Sequence, residues 1–337
     1  MNVRMWARAV YIIPHIEKAE WDGLDLVSRW LIATRAAVLI MTFFSAAIGG
    51  IIAWRDGNFS WLLWGVCTLG LCLAHATNNL LNDLIDHVCG IDTGNYFRTQ
   101  YGPQPLEHGL MTRGGILAYA AATGLAALAC GTYLVCVRGP ATLVLIAIGA
   151  FFVVFYTWPL KYIGLGEFAV LAVWGPCMTG GMYYVLTGRW DWNVSVASLP
   201  FALGATSVLF GKHIDKLEAD RARGVRTLPV LLGEVAARRT NVVLMALMYV
   251  AVIYLVAVRY FTPAVLAIVF ALNIYRWSVI VYRRTRPAAP PRELPPGVWP
   301  LWYVAFAFQH NRRFGMLFLG GLLAELVIRR QWPGWWA

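Results

Sequence analysis

Apolar residues run through this chain in long blocks, separated by short stretches that are polar or rich in glycine and proline. Blocks near residues 31–53, 61–83, 115–137, 140–157, 166–186, 194–214, 240–258, 262–282 and 314–330 each have about the length that crosses a bilayer, roughly 17 to 25 residues. None shows the ten-residue alternation of a membrane barrel, and hydrocarbon offers a backbone no outside hydrogen-bond partner, so the pattern predicts helices. The expected fold class is all-α and integral to the membrane, with nine transmembrane helices. Residues 24–330 form one domain in this reading. An amphipathic interfacial segment, 1–23, precedes it, a tail, 331–337, follows, and "LWYVAFAFQHNRR" (301–313) is expected to lie along the interface before the last span. The first 25 residues carry no cleavable-signal pattern.

Composition agrees with a lipid setting: 59% of residues are hydrophobic, 13% are charged and the mean hydropathy is +0.60, far from the usual soluble balance. Lysine and arginine gather in the N-terminus and in the loops after the second, fourth, sixth and eighth helices. That asymmetry predicts that those segments are cytoplasmic, and the membrane is expected to be a bacterial inner one. The net charge of +11 then reflects topology and calls for no nucleic-acid partner. The cysteines show no CxxC or metal spacing and read as packing residues.

Polarity breaks the pattern most sharply in "ATNNLLNDLIDHVCGID", residues 76–92, which follows one of the most apolar blocks. On a helix, Asn79, Asn82, Asp83 and Asp86 fall at i, i+3, i+4 and i+7 and share one stripe. A lone aspartate there could be a solvated helix end. Several on one stripe at a membrane span repel one another and are costly to insert. A divalent cation removes both penalties, and oxygen-only ligands suit Mg²⁺. A second acidic cluster, Asp215, Glu218 and Asp220, lies at the predicted cytoplasmic end of the sixth helix and runs into Arg221, Arg223 and Arg226. Alone it could be an ordinary solvated loop. Two such clusters at corresponding helix ends point to a shared polyphosphate site, because metal and guanidinium both neutralise phosphate oxygens. The implied substrate has a charged head and a tail that dissolves in the lipid bilayer.

These residues also carry a resemblance. "NDLIDHVCGID" (82–92) resembles the first aspartate-rich motif of the UbiA superfamily of membrane prenyltransferases, most of all the branch containing the dihydroxynaphthoate prenyltransferases of menaquinone synthesis. The stretches 155–190 and "EADRARGVRTLPVLLGE" (218–234) are similar to that branch through its middle helices and second motif. "IATRAAVLI" (32–40) is like its first-helix signature, with Ala36 where proline is usual. The resemblance implies nine helices around a central cavity and Mg²⁺-dependent ionisation of an allylic prenyl diphosphate, with transfer to an aromatic or quinone-precursor acceptor. Carried over by position, Asn82, Asp83 and Asp86 would meet the first metal, with Asp92 in support and Asn79 on the substrate side. Glu218 and Asp220 would serve a second metal. Arg35, Arg98, Lys161 and Arg226 would neutralise the diphosphate, and Tyr156 would face the developing cation.

One departure stands out. The first aspartate of the branch's second motif is replaced by Lys216, and the preceding arginine by Asp215. Charged lysine cannot ligate Mg²⁺, so either Asp215 joins the metal site or Lys216 contacts the diphosphate itself. A terpene cyclase on the same fold and a non-catalytic carrier of lipid diphosphates remain as alternatives at this point.

Overall fold

A computed structural model describes residues 2–94, 102–291, 299–332 and 334. Among them there are helices and no strands. The N-terminal region holds α1 (Val3–Tyr11), α2 (Lys18–Asp22) and α3 (Leu26–Ala33). The longer helices follow: α4 (Ile40–Arg55), α5 (Trp61–Val88), α6 (Arg113–Arg138), α7 (Ala141–Phe155), α8 (Gly166–Thr187) and α9 (Trp192–Asp215). Two short helices, α10 (Leu217–Ala222) and α11 (Leu228–Leu232), lead to α12 (Glu234–Ala257), α13 (Pro263–Arg283) and α14 (Tyr303–Gln331).

Six helices are long and apolar enough to cross a membrane unaided: α4 with its leading turn, α6, α8, α9, α12 and α13. Helix α7 is apolar but has only 15 residues, while α5 and α14 join an apolar stretch to a polar end. Helix α9 is the hub, packing against α4, α8, α12 and α14. Its approach to α14 depends on small residues: a Cβ on Gly211 would lie 2.7 Å from Tyr282 Oη and 2.9 Å from Val304 Cα. By contrast α6 packs chiefly on α5 and turns most of its surface outward.

The structure corrects three expectations of uniform helix. The block 31–53 is not continuous: α3 ends at Ala33, Arg35 takes a left-handed conformation with φ 55°, and a 3₁₀ turn over Ala36–Val38 precedes α4. Helix α8 is interrupted by a π-helical stretch, Val173–Gly180, where Pro176 lacks an N–H and Gly175 adopts non-helical angles. Residues 303–313, expected to lie along the interface, instead open α14 and are packed inside, with Tyr303, Ala307, His310 and Asn311 buried.

Candidate active site

The first acidic stripe sits at the end of α5, and each of its members is held by a different neighbour. Asn79 Nδ2 donates to the Thr34 carbonyl at 2.8 Å, satisfying a group that the end of α3 would leave orphaned. That bond fixes the chain break at which Arg35 turns left-handed, a conformation costing a non-glycine residue about 1–3 kcal/mol and aiming its guanidinium at Asp83, with which it forms a buried ion pair. Asn82 Nδ2 donates to Thr157 Oγ1 at 3.1 Å. Lys161 Nζ donates to Asp86 Oδ1 at 2.5 Å. Asn79, Asn82 and Asp86 line a large cavity, whereas Asp83 stands behind them. Asp92 is buried just beyond the helix end.

The second cluster is arranged differently because the helix breaks within it. Helix α9 ends at Asp215, Lys216 takes φ −99° and ψ 3°, and α10 begins at Leu217. Asp215 is turned toward the start of α14. Its carboxylate accepts the backbone N–H groups of Trp302, Tyr303 and Val304 at 3.2, 3.0 and 3.0 Å, capping that helix from outside. Glu218 points outward, its side chain 79% exposed and paired with Arg221 at 3.1 Å. Asp220 is buried and meets Lys216 Nζ at 3.2 Å. The structure therefore does not bring Asp215, Glu218 and Asp220 together. Arg226 is exposed, its backbone N–H donating to the Tyr162 carbonyl. Arg98 lies outside the described residues.

The cavity has a volume of about 1260 Å³ and a mostly apolar wall. Its lining includes Arg35, Lys161, Lys212 and Lys216 as well as Asn82, Asp86 and Tyr156. Tyr11, Ile12, Ile13 and His15 of the N-terminal segment also reach it. Beside Lys161, burial and then the charge of Asp86 push the Tyr162 phenol far above its usual range. Its ring stays neutral under the Lys161 ammonium, 5.6 Å from the centroid.

Three lining residues were missed in the sequence: Lys212, His213 and His75. His213 Nδ1 is bonded to buried Glu167 at 2.6 Å, and Glu167 also accepts the Leu228 N–H at 3.4 Å. The signal available was Glu167 itself, a carboxylate opening an otherwise apolar block. Its partner lies 46 positions away, which no local pattern reveals.

Residues 42–306 match the UbiA prenyltransferase family over most of the chain's length. The chain belongs to this family. It is 25% identical over 264 residues to the UbiA prenyltransferase domain-containing protein 1 homolog of Drosophila melanogaster, covering 75% of this chain and 67% of that one. To 1,4-dihydroxy-2-naphthoate octaprenyltransferase of Escherichia coli it is 28% identical over 235 residues, covering 66% and 74%. A solved UbiA homolog from Archaeoglobus fulgidus, bound to GPP and Mg²⁺, shares the fold, with TM-score 0.55, 15% identity and coverage of 88% and 99%. The protein is an integral-membrane prenyltransferase enzyme of all-helical UbiA architecture.

Among the described residues of this UbiA protein, no three His, Cys, Asp or Glu side chains converge on one metal position. Mg²⁺ does not call for such a cluster, since it keeps waters and takes one or two carboxylates plus substrate phosphates. Asn82 and Asp86, one turn apart on the cavity wall, offer such a partial oxygen set.

Proposed function

We propose that this prenyltransferase ionises an allylic prenyl diphosphate at the cationic end of its cavity and transfers the prenyl group to an aromatic, quinone-precursor acceptor. The observation that carries this reading is that Arg35, Lys161, Lys212 and Lys216 line the same mostly apolar cavity as Asn82 and Asp86. Mg²⁺ held by Asn82 and Asp86 would supply charge neutralisation to the leaving diphosphate. A diphosphate offers Lys161 and Lys216 a more negative partner than Asp86 and Asp220, so both lysines are poised to change partners when substrate enters. Lys216 takes the sequence position of a metal-binding aspartate in the second motif, and we assign it, with Lys212, to the diphosphate in place of a second metal. Tyr156 presents its ring to the allyl cation, and the apolar wall keeps water from it. Stabilisation of the leaving group is the largest catalytic contribution.

We place the site on the cytoplasmic side from the distribution of lysine and arginine, and divide the chain into an interfacial segment 1–23, a catalytic domain 24–330 and a tail 331–337. The test is product analysis with labelled geranyl diphosphate and a dihydroxynaphthoate in detergent. Label should enter the acceptor, EDTA should stop the reaction and Mg²⁺ should restore it. Cyclised hydrocarbon or free alcohol with no labelled acceptor would overturn the proposal, as would full activity in EDTA.

A further inference from the structure

The N-terminal segment reaches the cavity at Tyr11–His15, and the chain on either side of these residues is pinned to the body of the protein. Helix α1 packs on α3 and on the 3₁₀ turn Ala36–Val38 that follows Arg35. Asp25 holds its start, accepting the Asn2 backbone N–H at 2.8 Å and the Trp6 indole N–H at 3.0 Å. Met5 and Ala9, one turn apart on its inner face, are buried in one cluster with Leu80, Leu110 and Ile116. The chain leaves the helix extended at Ile12, with φ −137° and ψ 158°, and forms no helix again until Lys18. Ile16 then returns to the same buried cluster.

Five extended residues reach about 16 Å, and their neighbours show what they bridge. The 3₁₀ turn gives Ala37 and Val38 to the cavity wall, and α14 gives Phe308 and Arg312. Helix α1 meets the turn, and the Tyr11 ring lies under the Arg312 guanidinium, 5.4 Å from the centroid, so the segment joins both sides. Ile13 is seated closely on the chain beyond α5: a Cβ on Gly102, where φ is +127°, would collide with its Cγ2. Tyr11 and Ile12 line the cavity and are also 71% and 46% exposed, which puts them at its boundary with the surroundings. The segment lies outside residues 42–306, over which the chain matches its family, so family membership does not account for it.

We infer that Tyr11–His15 is a strap that keeps water from the allyl cation and so sets the partition between transfer and hydrolysis, an inference that rests on the prenyl-transfer reading above. The C–O bond breaks with its electron pair on the diphosphate, and the cation then takes the nucleophile that reaches it. An acceptor carbon gives the prenylated product. Water gives the prenyl alcohol and releases a proton to solvent. The strap acts on this partition and not on ionisation, because the groups assigned to metal and diphosphate all come from other elements. Its residues position a barrier and take no part in the bond changes.

The test uses the full chain in detergent with labelled geranyl diphosphate, Mg²⁺ and a saturating dihydroxynaphthoate, in heavy-oxygen water. Diphosphate, prenylated acceptor and geraniol carrying solvent oxygen are measured together. Ile12→Ser combined with Ile13→Ser should raise the ratio of geraniol to prenylated acceptor at least about five-fold, with total diphosphate release within about two-fold of the unmodified protein. Tyr11→Ala removes an exposed side chain and the contact with Arg312 without touching the buried cluster, and should raise the ratio about two-fold. An unchanged ratio in the double variant overturns the inference; where that variant does not fold, an unchanged ratio in Tyr11→Ala does so. Diphosphate release and transfer that fall together at constant ratio also overturn it, since a merely structural segment would behave that way. A constant ratio in an active enzyme sinks the strap alone. Absence of prenylated acceptor from the unmodified protein sinks the functional reading and the strap with it.

Discussion

The two acidic clusters look alike on paper and behave differently in the fold. At the end of α5 an unbroken helix carries Asn79, Asn82 and Asp86 to the cavity along one stripe. At the end of α9 the helix breaks at Lys216, and the acids scatter: Asp215 to the cap of α14, Glu218 to the surface, Asp220 to an ion pair. What reaches the cavity from this helix end is Lys212, His213 and Lys216, none of the acids. The contrast teaches that helical spacing predicts a shared face only while the helix continues. Beyond a break, the first unsatisfied backbone group nearby captures the carboxylate.

The largest effect should come from the intact stripe. Asp86→Asn should lower turnover at least about a hundred-fold, as expected for a group needed in the transition state (each ten-fold is about 1.4 kcal/mol), with the thermal midpoint barely moved. Activity above a tenth of wild type would remove Asp86 from the metal site. Next comes Asp215→Ala, which leaves three buried backbone N–H groups without their acceptor. It should cost about 2–4 kcal/mol of stability, given about 1–3 kcal/mol for each orphaned group and partial relaxation, with the diphosphate KM of the remaining folded enzyme within three-fold. A selective rise in that KM with unchanged melting would instead make Asp215 a ligand. Lys216 gives a smaller and condition-dependent effect. Lys216→Asp should weaken substrate affinity at low Mg²⁺ and recover as Mg²⁺ rises, while Lys216→Ala should stay weak throughout. Three superimposable Mg²⁺ titrations would make Lys216 a mere anchor at the membrane surface. Glu218→Ala should change turnover less than two-fold, because its side chain points outward and pairs with Arg221 at the surface. A loss of ten-fold or more would place Glu218 in the site after all.

Much of the architecture was legible because lipid imposes a simple rule on sequence: long apolar blocks must be helices. The first stripe was legible for the same reason, since four polar residues at helical spacing inside such a block stand out. The breaks were not. The turn at Arg35 depends on Asn79, 45 positions from Thr34, and the π-helical stretch depends on Ser45, 129 positions from Trp174. The polar start of α14 looked interfacial because "QHNRR" is hydrophilic, yet His310 is buried against Tyr249 at 2.9 Å. In each case the deciding partner arrives from a distant part of the chain, and one-dimensional periodicity carries no record of it.

The cap that Asp215 places on α14 has a consequence for the order in which the molecule can be completed. The three donors are made 87 to 89 residues after the acid, so until Trp302, Tyr303 and Val304 have emerged the carboxylate next to Lys216 lacks all of them. A chain cut short before residue 302 would therefore hold this acid without the backbone donors that fix its orientation. The end of α9 thus closes late, only once the start of α14 has docked on it.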